Sequence, residues 1–276
     1  MKTLIIKTGL HETFDTEARL PILSFGDVLR STVILQLISG EHEWLAPSQM
    51  GMLLNATKRV EKVNPADYQL MINLENNEEY FSLMRKTDLG FFKKDHLRLK
   101  SGEEINLVHF NQAHQGKNWS ERLFIILGAT WKNERPQLVG PNTNPQSDFG
   151  FNWQVGPKWV HKDWGKENWK EVHRLLSKEF SVSWQEGFDN LEIYIKWIKN
   201  QKVLLTHDSL GLHIAQALHI PVVALFGPTS MSDIARFPED VFLNFQEECH
   251  LTPSRIDEIL KEVFLRRVNG ASTGRQ

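Results

Sequence analysis

Cysteine is almost missing from this chain: Cys249 is the only one in 276 residues. That excludes an internal disulfide and a thiolate cluster for zinc. An excess of one charge is missing too. The net charge is −2, so there is no general electrostatic case for nucleic acid as a partner. No stretch approaches the about 20 apolar residues of a membrane-spanning helix. The opening MKTLIIKTGLHETFD has an apolar run too short for a secretion signal and no small-residue cleavage site. No Gly-x-Gly-x-x-Gly follows the first strand-like run, which argues against a nicotinamide oxidoreductase.

What is there is ordinary globular material, 41% hydrophobic and 24% charged, enough for one large core or two smaller ones. A cytoplasmic location is the expectation. Nine tryptophans are more than the length leads one to expect, and all but Trp44 crowd from Trp119 to Trp197. They suit a core or an interdomain seam; the alternative is ring stacking on a sugar or base.

Along the chain, TLIIK (from Thr3) and YQLMINLE (from Tyr68) read as buried strands. The pattern predicts helices from Val28 to Ile38, in SQMGMLLN, in NEEYFSLMRKTD and from Trp119, with Ser120 as N-cap and Gly128 as stop. The β-branched Thr32, Val33 and Ile34 leave the first of these ambiguous between helix and strand. VGPNTNPQSDFG, from Val139 to Gly150, concentrates Pro, Asn, Ser and Gly as a linker does. Strand and helix patterns then alternate: FNWQVG, KENWKEVHRLLSKE, FSVSWQEG, LEIYIKWIKN, and a final amphipathic helix, PSRIDEILKEVFLRRV. Such alternation argues for parallel βαβ units in both halves. The predicted domains are 1–145 and 146–268, the last helix being placed on either, followed by an unstructured tail, 269–276. Two such sheets facing each other would form a cleft at the carboxyl ends of their strands.

The stretch LLTHDSLGLHIAQALHIPVVALFGPTS, Leu204 to Ser230, places a helix between two apolar runs. Asp208 falls just past the first strand, and Ser209 is positioned to cap the helix. Gly211 in the first turn costs roughly 1 kcal/mol relative to alanine; one benefit is close approach of another group to the backbone. The free amides and positive dipole end of a helix start suit a phosphate. The plain alternative is that Ser209 only caps and Gly211 only packs on the sheet.

The run Asp-Ser-x-Gly-x-His-x-Ala-x-Ala-Leu followed by Pro-Val-Val-Ala-Leu-Phe-Gly-Pro-Thr resembles the donor-site signature of glycosyltransferase family 9, the heptosyltransferases. SFGDVLRST, from Ser24, is similar to that family's N-terminal Gly-Asp-Val-Leu turn, and KDWGKENW, from Lys162, to its Lys-x-Trp-Pro-x-x-x-Trp segment. The matches run in family order over most of residues 1–265. The resemblance implies a GT-B fold of two Rossmann-like domains. It implies inverting sugar transfer from a nucleotide diphosphate donor, usually ADP-heptose, without a bound metal or other cofactor.

On that resemblance Asp27 is the base that takes the acceptor proton, and its place near a helix start is expected to lower its pKa. Asp208, Ser209, Leu210, Gly211 and His213 would hold the donor, with Lys162 balancing charge on the departing diphosphate. Lys158 is the alternative phosphate contact, Gln185 or Glu186 a ribose or base contact, and Thr229 closes the donor site. Each has a plainer reading: Asp27 as a helix cap, the lysines as solvated surface groups, His213 as a helix histidine, and Gln185 and Glu186 as a polar turn. His207 and His213 lack further ligands for a metal.

The chain departs from the pattern in three places. Leu210 takes the first glycine position of the signature, Gly165 replaces a common proline, and the loop from Thr8 to Leu23 is long. That loop, with His11, Glu12, Asp15, Glu17 and Arg19, is expected to shape the acceptor site. The acceptor class is a glycan, a lipid-linked glycan or a protein. A lipid-linked acceptor implies peripheral contact with the inner face of a bacterial membrane. The competing class is a nucleotide-sugar binding or assembly protein that keeps the donor pocket without catalysis.

Overall fold

The computed structural model describes residues 1–14, 21–75, 103–107, 116–187, 190–248 and 251–273. The helix expected over NEEYFSLMRKTD and the chain's cysteine lie outside them. The chain divides into two compact units, Met1–Leu138 and Val139–Gln276.

In the first unit a parallel five-stranded sheet has the order β5-β4-β1-β6-β7. Its strands are β1 (Thr3–Ile6), β4 (His42–Leu45), β5 (Lys58–Val60), β6 (Leu70–Asn73) and β7 (Glu103–Asn106). Alternation along each strand sends Leu4, Ile6, Leu45 and Met71 into one core layer with Tyr68. The long connection after β1 is a β-ribbon: β2 (Leu10–Phe14) pairs antiparallel with β3 (Pro21–Leu23).

Helix α1 (Phe25–Ser31) follows, but the β-branched run beyond it tightens into a 3₁₀ turn, Thr32–Gln36, instead of extending the helix to Ile38. Crowding at χ1 disfavours the wider helix there. SQMGMLLN likewise forms only a 3₁₀ turn, Ser48–Met50. Helix α2 (Trp119–Ile126) is capped two residues earlier than expected. Asn118, not Ser120, is its N-cap and forms a reciprocal capping box with Glu121, while Ser120 is buried inside the helix. Gly128 ends it at φ +71°.

The second unit holds a parallel five-stranded sheet of order β12-β11-β10-β8-β9. The strands are β8 (Ser147–Asn152), β9 (Val182–Trp184), β10 (Gln201–His207), β11 (Val222–Phe226) and β12 (Val241–Asn244). One face presents Phe149, Phe151, Val203, Leu205, Val223 and Leu225 to two helices, α3 (Lys166–Leu176) and a terminal helix, Pro253–Thr273. Trp164 and Trp169 are buried in that layer, so those tryptophans serve the core. The terminal helix lends Ile256, Ile259, Leu260 and Val263 to the same layer and continues through the residues expected as the start of a tail. Helices α4 (Leu191–Lys199) and α5 (Leu210–Ala217) pack against each other; the alternate residues Asn152 and Thr206 point to their side. The terminal helix is α6.

Neighbouring strands leave the order of the chain between β1 and β6 in the first sheet and between β8 and β10 in the second. Open α/β sheets bind ligands at the carboxyl ends of strands beside such a switch.

Candidate functional site

Strand β10 runs out at His207, passes Asp208, and enters α5 through Ser209, which is extended at φ −152° and ψ 176°. Ser209 occupies the N-cap position, yet its hydroxyl caps no amide. The cap expected from the sequence is therefore not made. Instead, Ser209 Oγ accepts a hydrogen bond from Asn152 Nδ2 at 3.0 Å, because Asn152 ends β8 beside it. The first amides of α5 have no side-chain cap, and with the helix dipole they form an anion-favouring end at the second sheet's switch point.

Behind these amides lies a buried polar chain. Tyr194 donates from its phenol to Asn152 Oδ1 at 2.9 Å, and Asn152 Nδ2 also donates to Thr206 Oγ1 at 2.7 Å. The glycine at 211 belongs to this arrangement. A Cβ there would stand 2.4 Å from Asn152 Nδ2 and 2.5 Å from the Tyr194 oxygen. The group that approaches the backbone closely is thus the protein's own amide and phenol.

Asp208 and Lys162 meet over the same helix start. Lys162 Nζ lies 2.6 Å from Asp208 Oδ2 and 3.2 Å from the Asp208 carbonyl oxygen. Its ammonium also sits 4.8 Å from the centre of the Trp159 ring. Burial pushes the Asp208 carboxyl up, but the Lys162 charge and hydrogen bond, with help from His213, hold it below the usual carboxylate range. Thr229 also helps to hold the Asp208 carboxyl down, while its buried Oγ1 has no partner at full hydrogen-bond geometry.

His207 locks the Lys162 segment by a second route. It is fully buried, and its Nε2 accepts the Trp164 backbone N–H at 3.1 Å. The proton therefore belongs on Nδ1, which has no partner. Burial pushes its pKa down to about 4, so the ring is neutral near pH 7. Among the described residues, no three His, Cys, Asp or Glu gather to hold a metal ion.

The segment ending at Lys162, a 3₁₀ stretch from Pro157 to Lys162, is pinned from the other side by the turn after β11. A Cβ on Gly227 would lie 3.0 Å from the His161 carbonyl oxygen. At Gly165 the backbone has φ +93°, which proline cannot adopt. That accounts for glycine where the family pattern has proline.

The remaining expected residues spread around these strand ends. Leu210 is the half-buried first residue of α5, and His213 is buried one turn along. Gln185, directly after β9, is 3% exposed with both amide atoms unpartnered; Glu186 beside it is exposed. The side chain of Lys158 lies outside the described residues.

In the first unit, Asp27 sits in the first turn of α1. Its Oδ1 is 2.6 Å from Arg30 Nη2, and its Oδ2 accepts the Ser24 hydroxyl at 2.6 Å. Arg30 lies over the Trp119 ring at 4.6 Å. At the switch point between β1 and β6, Glu75 is buried. Its Oε1 accepts both the N–H and the hydroxyl of Thr8 at 2.6 Å, and its Oε2 faces Lys7 Nζ at 3.3 Å. From the sequence, Lys7 and Glu75 read only as strand material and Thr8 as the start of the long loop.

Sequence reasoning missed Asn152, Tyr194 and His207 as parts of the site. A polar residue ending an apolar strand was a usable signal for Asn152 and His207. Tyr194 had none, since it reads as one more apolar helix position.

Residues 189–255 match the family model described as glycosyltransferase family 9 (heptosyltransferase), a stretch that contains Asp208, Ser209, Gly211, His213 and Thr229. No curated protein sequence matches the chain. Among solved structures, the Escherichia coli heptosyltransferase WaaC with ADP is similar: TM-score 0.64 and 16% identity, covering 95% of this chain and 100% of that one. A glycosyltransferase family 9 protein from Veillonella parvula gives a TM-score of 0.66 at 13% identity, covering 96% of this chain and 97% of that one. The iron-containing dodecameric glycosyltransferase TibC of enterotoxigenic E. coli gives 0.56 at 14%, covering 95% of this chain and 76% of that one. The chain has the heptosyltransferase fold, as the resemblance implied, and the stretch that matches the family 9 model lies in its second unit.

Proposed function

We propose that this protein is a glycosyltransferase that moves a sugar, heptose from ADP-heptose in the first instance, from a nucleotide diphosphate to an acceptor hydroxyl with inversion. The observation that carries the reading is the start of α5. It is a helix end without a side-chain cap, at a topological switch, inside the stretch that matches family 9.

In this reading the diphosphate sits on the α5 amides. Lys162, held by Asp208, balances the charge that grows on the leaving oxygen as the anomeric carbon–oxygen bond breaks. Asp27 takes the proton of the attacking hydroxyl. Arg30 and Ser24 fix its carboxylate in one orientation. Gln185 Oε1 and Nε2, buried and unpartnered, suit the ribose or base. Thr229 completes the donor side. The acceptor class is a glycan, lipid-linked or protein hydroxyl of a bacterial surface glycan or glycoconjugate. A lipid-linked acceptor would bring a cytoplasmic protein to the inner membrane face peripherally; no described helix is long and apolar enough to cross a membrane.

The test is a thermal-shift panel of ADP-, GDP-, UDP- and CMP-sugars with and without EDTA, followed by product analysis with the donor that binds. The chelator arm matters because an iron-containing relative shares the fold. The expected result is one large, chelator-insensitive stabilisation and turnover that Asp27→Ala abolishes. Donor binding with no transfer favours the binding-protein reading, and turnover unchanged in Asp27→Ala removes Asp27 as the base.

A further inference from the structure

We infer that Asn152 and Tyr194 are positioning residues that aim the Ser209 hydroxyl hydrogen at a bound diphosphate. The inference rests on the donor reading above and assigns the direction of each hydrogen bond beneath the α5 start.

The assignment begins at a fully buried point. Thr206 Oγ1 donates to the His207 carbonyl oxygen at 2.9 Å, which uses its one hydrogen. Thr206 can then only accept from Asn152, so the amide must turn its Nδ2 toward Thr206 and its Oδ1 toward Tyr194. The Tyr194 phenol is 3% exposed and, with its pKa pushed up by burial, stays protonated and donates to that Oδ1. The second hydrogen on Nδ2 goes to Ser209 Oγ.

Every hydrogen in the chain Tyr194–Asn152–Thr206 is then committed, and Ser209 is an acceptor on its inner side. The hydrogen left over is that of Ser209. Its only inward option is Thr206 Oγ1 at 3.3 Å, a long contact to an oxygen already accepting. Ser209 is half-buried at the helix start, so the hydrogen adds a donor to the α5 amides. A neutral network thereby presents donors on its ligand side, which suits a phosphate oxygen and disfavours a cation. Gly211 is what lets the amide and phenol stand this close to the helix.

The test is titration calorimetry on the full chain with ADP, GDP and UDP, each against its nucleoside. For the diphosphate that binds, Ser209→Ala and Tyr194→Phe should each weaken it about 5- to 10-fold. The nucleoside should bind unchanged, and the double variant should be no weaker than Ser209→Ala alone. Asn152→Asp has no hydrogen to give, so Ser209 must turn inward. That variant should lose at least as much affinity as Ser209→Ala, and it serves if Tyr194→Phe does not fold. Equal losses for nucleoside and diphosphate, full additivity in the double variant, or no loss in a folded variant would overturn the inference. Failure of the parent protein to bind any of the three diphosphates would overturn the donor reading and this inference with it.

Discussion

The Lys162 ammonium and the Asp208 carboxylate pair at 2.6 Å, with side-chain exposures of 12% and 13%. In the proposed reading Lys162 therefore meets the diphosphate already neutralised, and its value there lies in where Asp208 holds it. Removing one partner strands a nearly buried charge. Lys162→Met should cost roughly 3 kcal/mol of stability, read as a lower urea midpoint. Lys162→Met/Asp208→Leu should recover much of that loss while donor affinity stays weak. Recovery of both together would place the pair outside the donor site.

His207 gives a pH signature with a definite sign. Its folded pKa is depressed from 6.5 to about 4, so the unfolded chain binds a proton that the folded one refuses. Its contribution is complete above pH 6.5 and is lost as the pH falls toward 4, on the order of 3 kcal/mol in all. Urea midpoints between those values should fall in the parent protein and flatten in His207→Gln. The amide oxygen of that variant can still accept the Trp164 N–H.

Glu43 acts in a lower window at the amino end of the first sheet. Burial raises its carboxyl, but Lys58 at 2.5 Å, the Tyr68 hydroxyl and Lys2 together bring it down to about 2. Its stabilisation is present above pH 4.5 and is lost as the pH falls toward 2. Glu43→Gln should weaken the first unit by about 2 kcal/mol at pH 7. It should also reduce the slope of the acid limb below pH 4.5, measured by fluorescence-monitored acid unfolding.

Two glycine substitutions separate backbone from contact effects. Gly165→Pro, which restores the family residue, demands φ near −65° where the chain has +93°; the expected cost is roughly 3 kcal/mol, with disturbance of the Lys162 segment. Gly211→Ala has tolerable backbone angles but drives a methyl into Asn152 and Tyr194. It should cost about 2 kcal/mol and lower diphosphate affinity to the extent expected for Tyr194→Phe. Melting temperatures and ADP titrations of the two variants check both.

The second unit was the more legible half. Val203 to Leu205 and Val222 to Phe226 are continuous apolar runs, as strands covered on both faces must be, and the helix between them follows by length. The Asn118-x-x-Glu121 capping box was also readable, but Ser120 drew attention because it lies nearer the apolar run. What stayed hidden depends on register. Asn152 meets Thr206 only because β8 and β10 pair with those residues opposite. The buried Glu75 finds Thr8 only through the pairing of β6 with β1. Neither pairing leaves a trace in local periodicity. The β-branched Thr32, Val33 and Ile34 leave helix and strand open in the sequence, and the chain takes neither there but a 3₁₀ turn.

Helix α6 has a consequence for the order in which the protein matures. It supplies Ile256, Ile259, Leu260 and Val263 to the layer around Phe149, Phe151 and Trp169. During synthesis that layer stays open until the last helix has cleared the ribosome, whereas every strand of the first sheet has emerged long before. The half that carries the family 9 stretch is thus assembled after the first. A nascent chain stalled before Ile256 would expose the aromatic wall of an unfinished second unit beside a first unit already able to close.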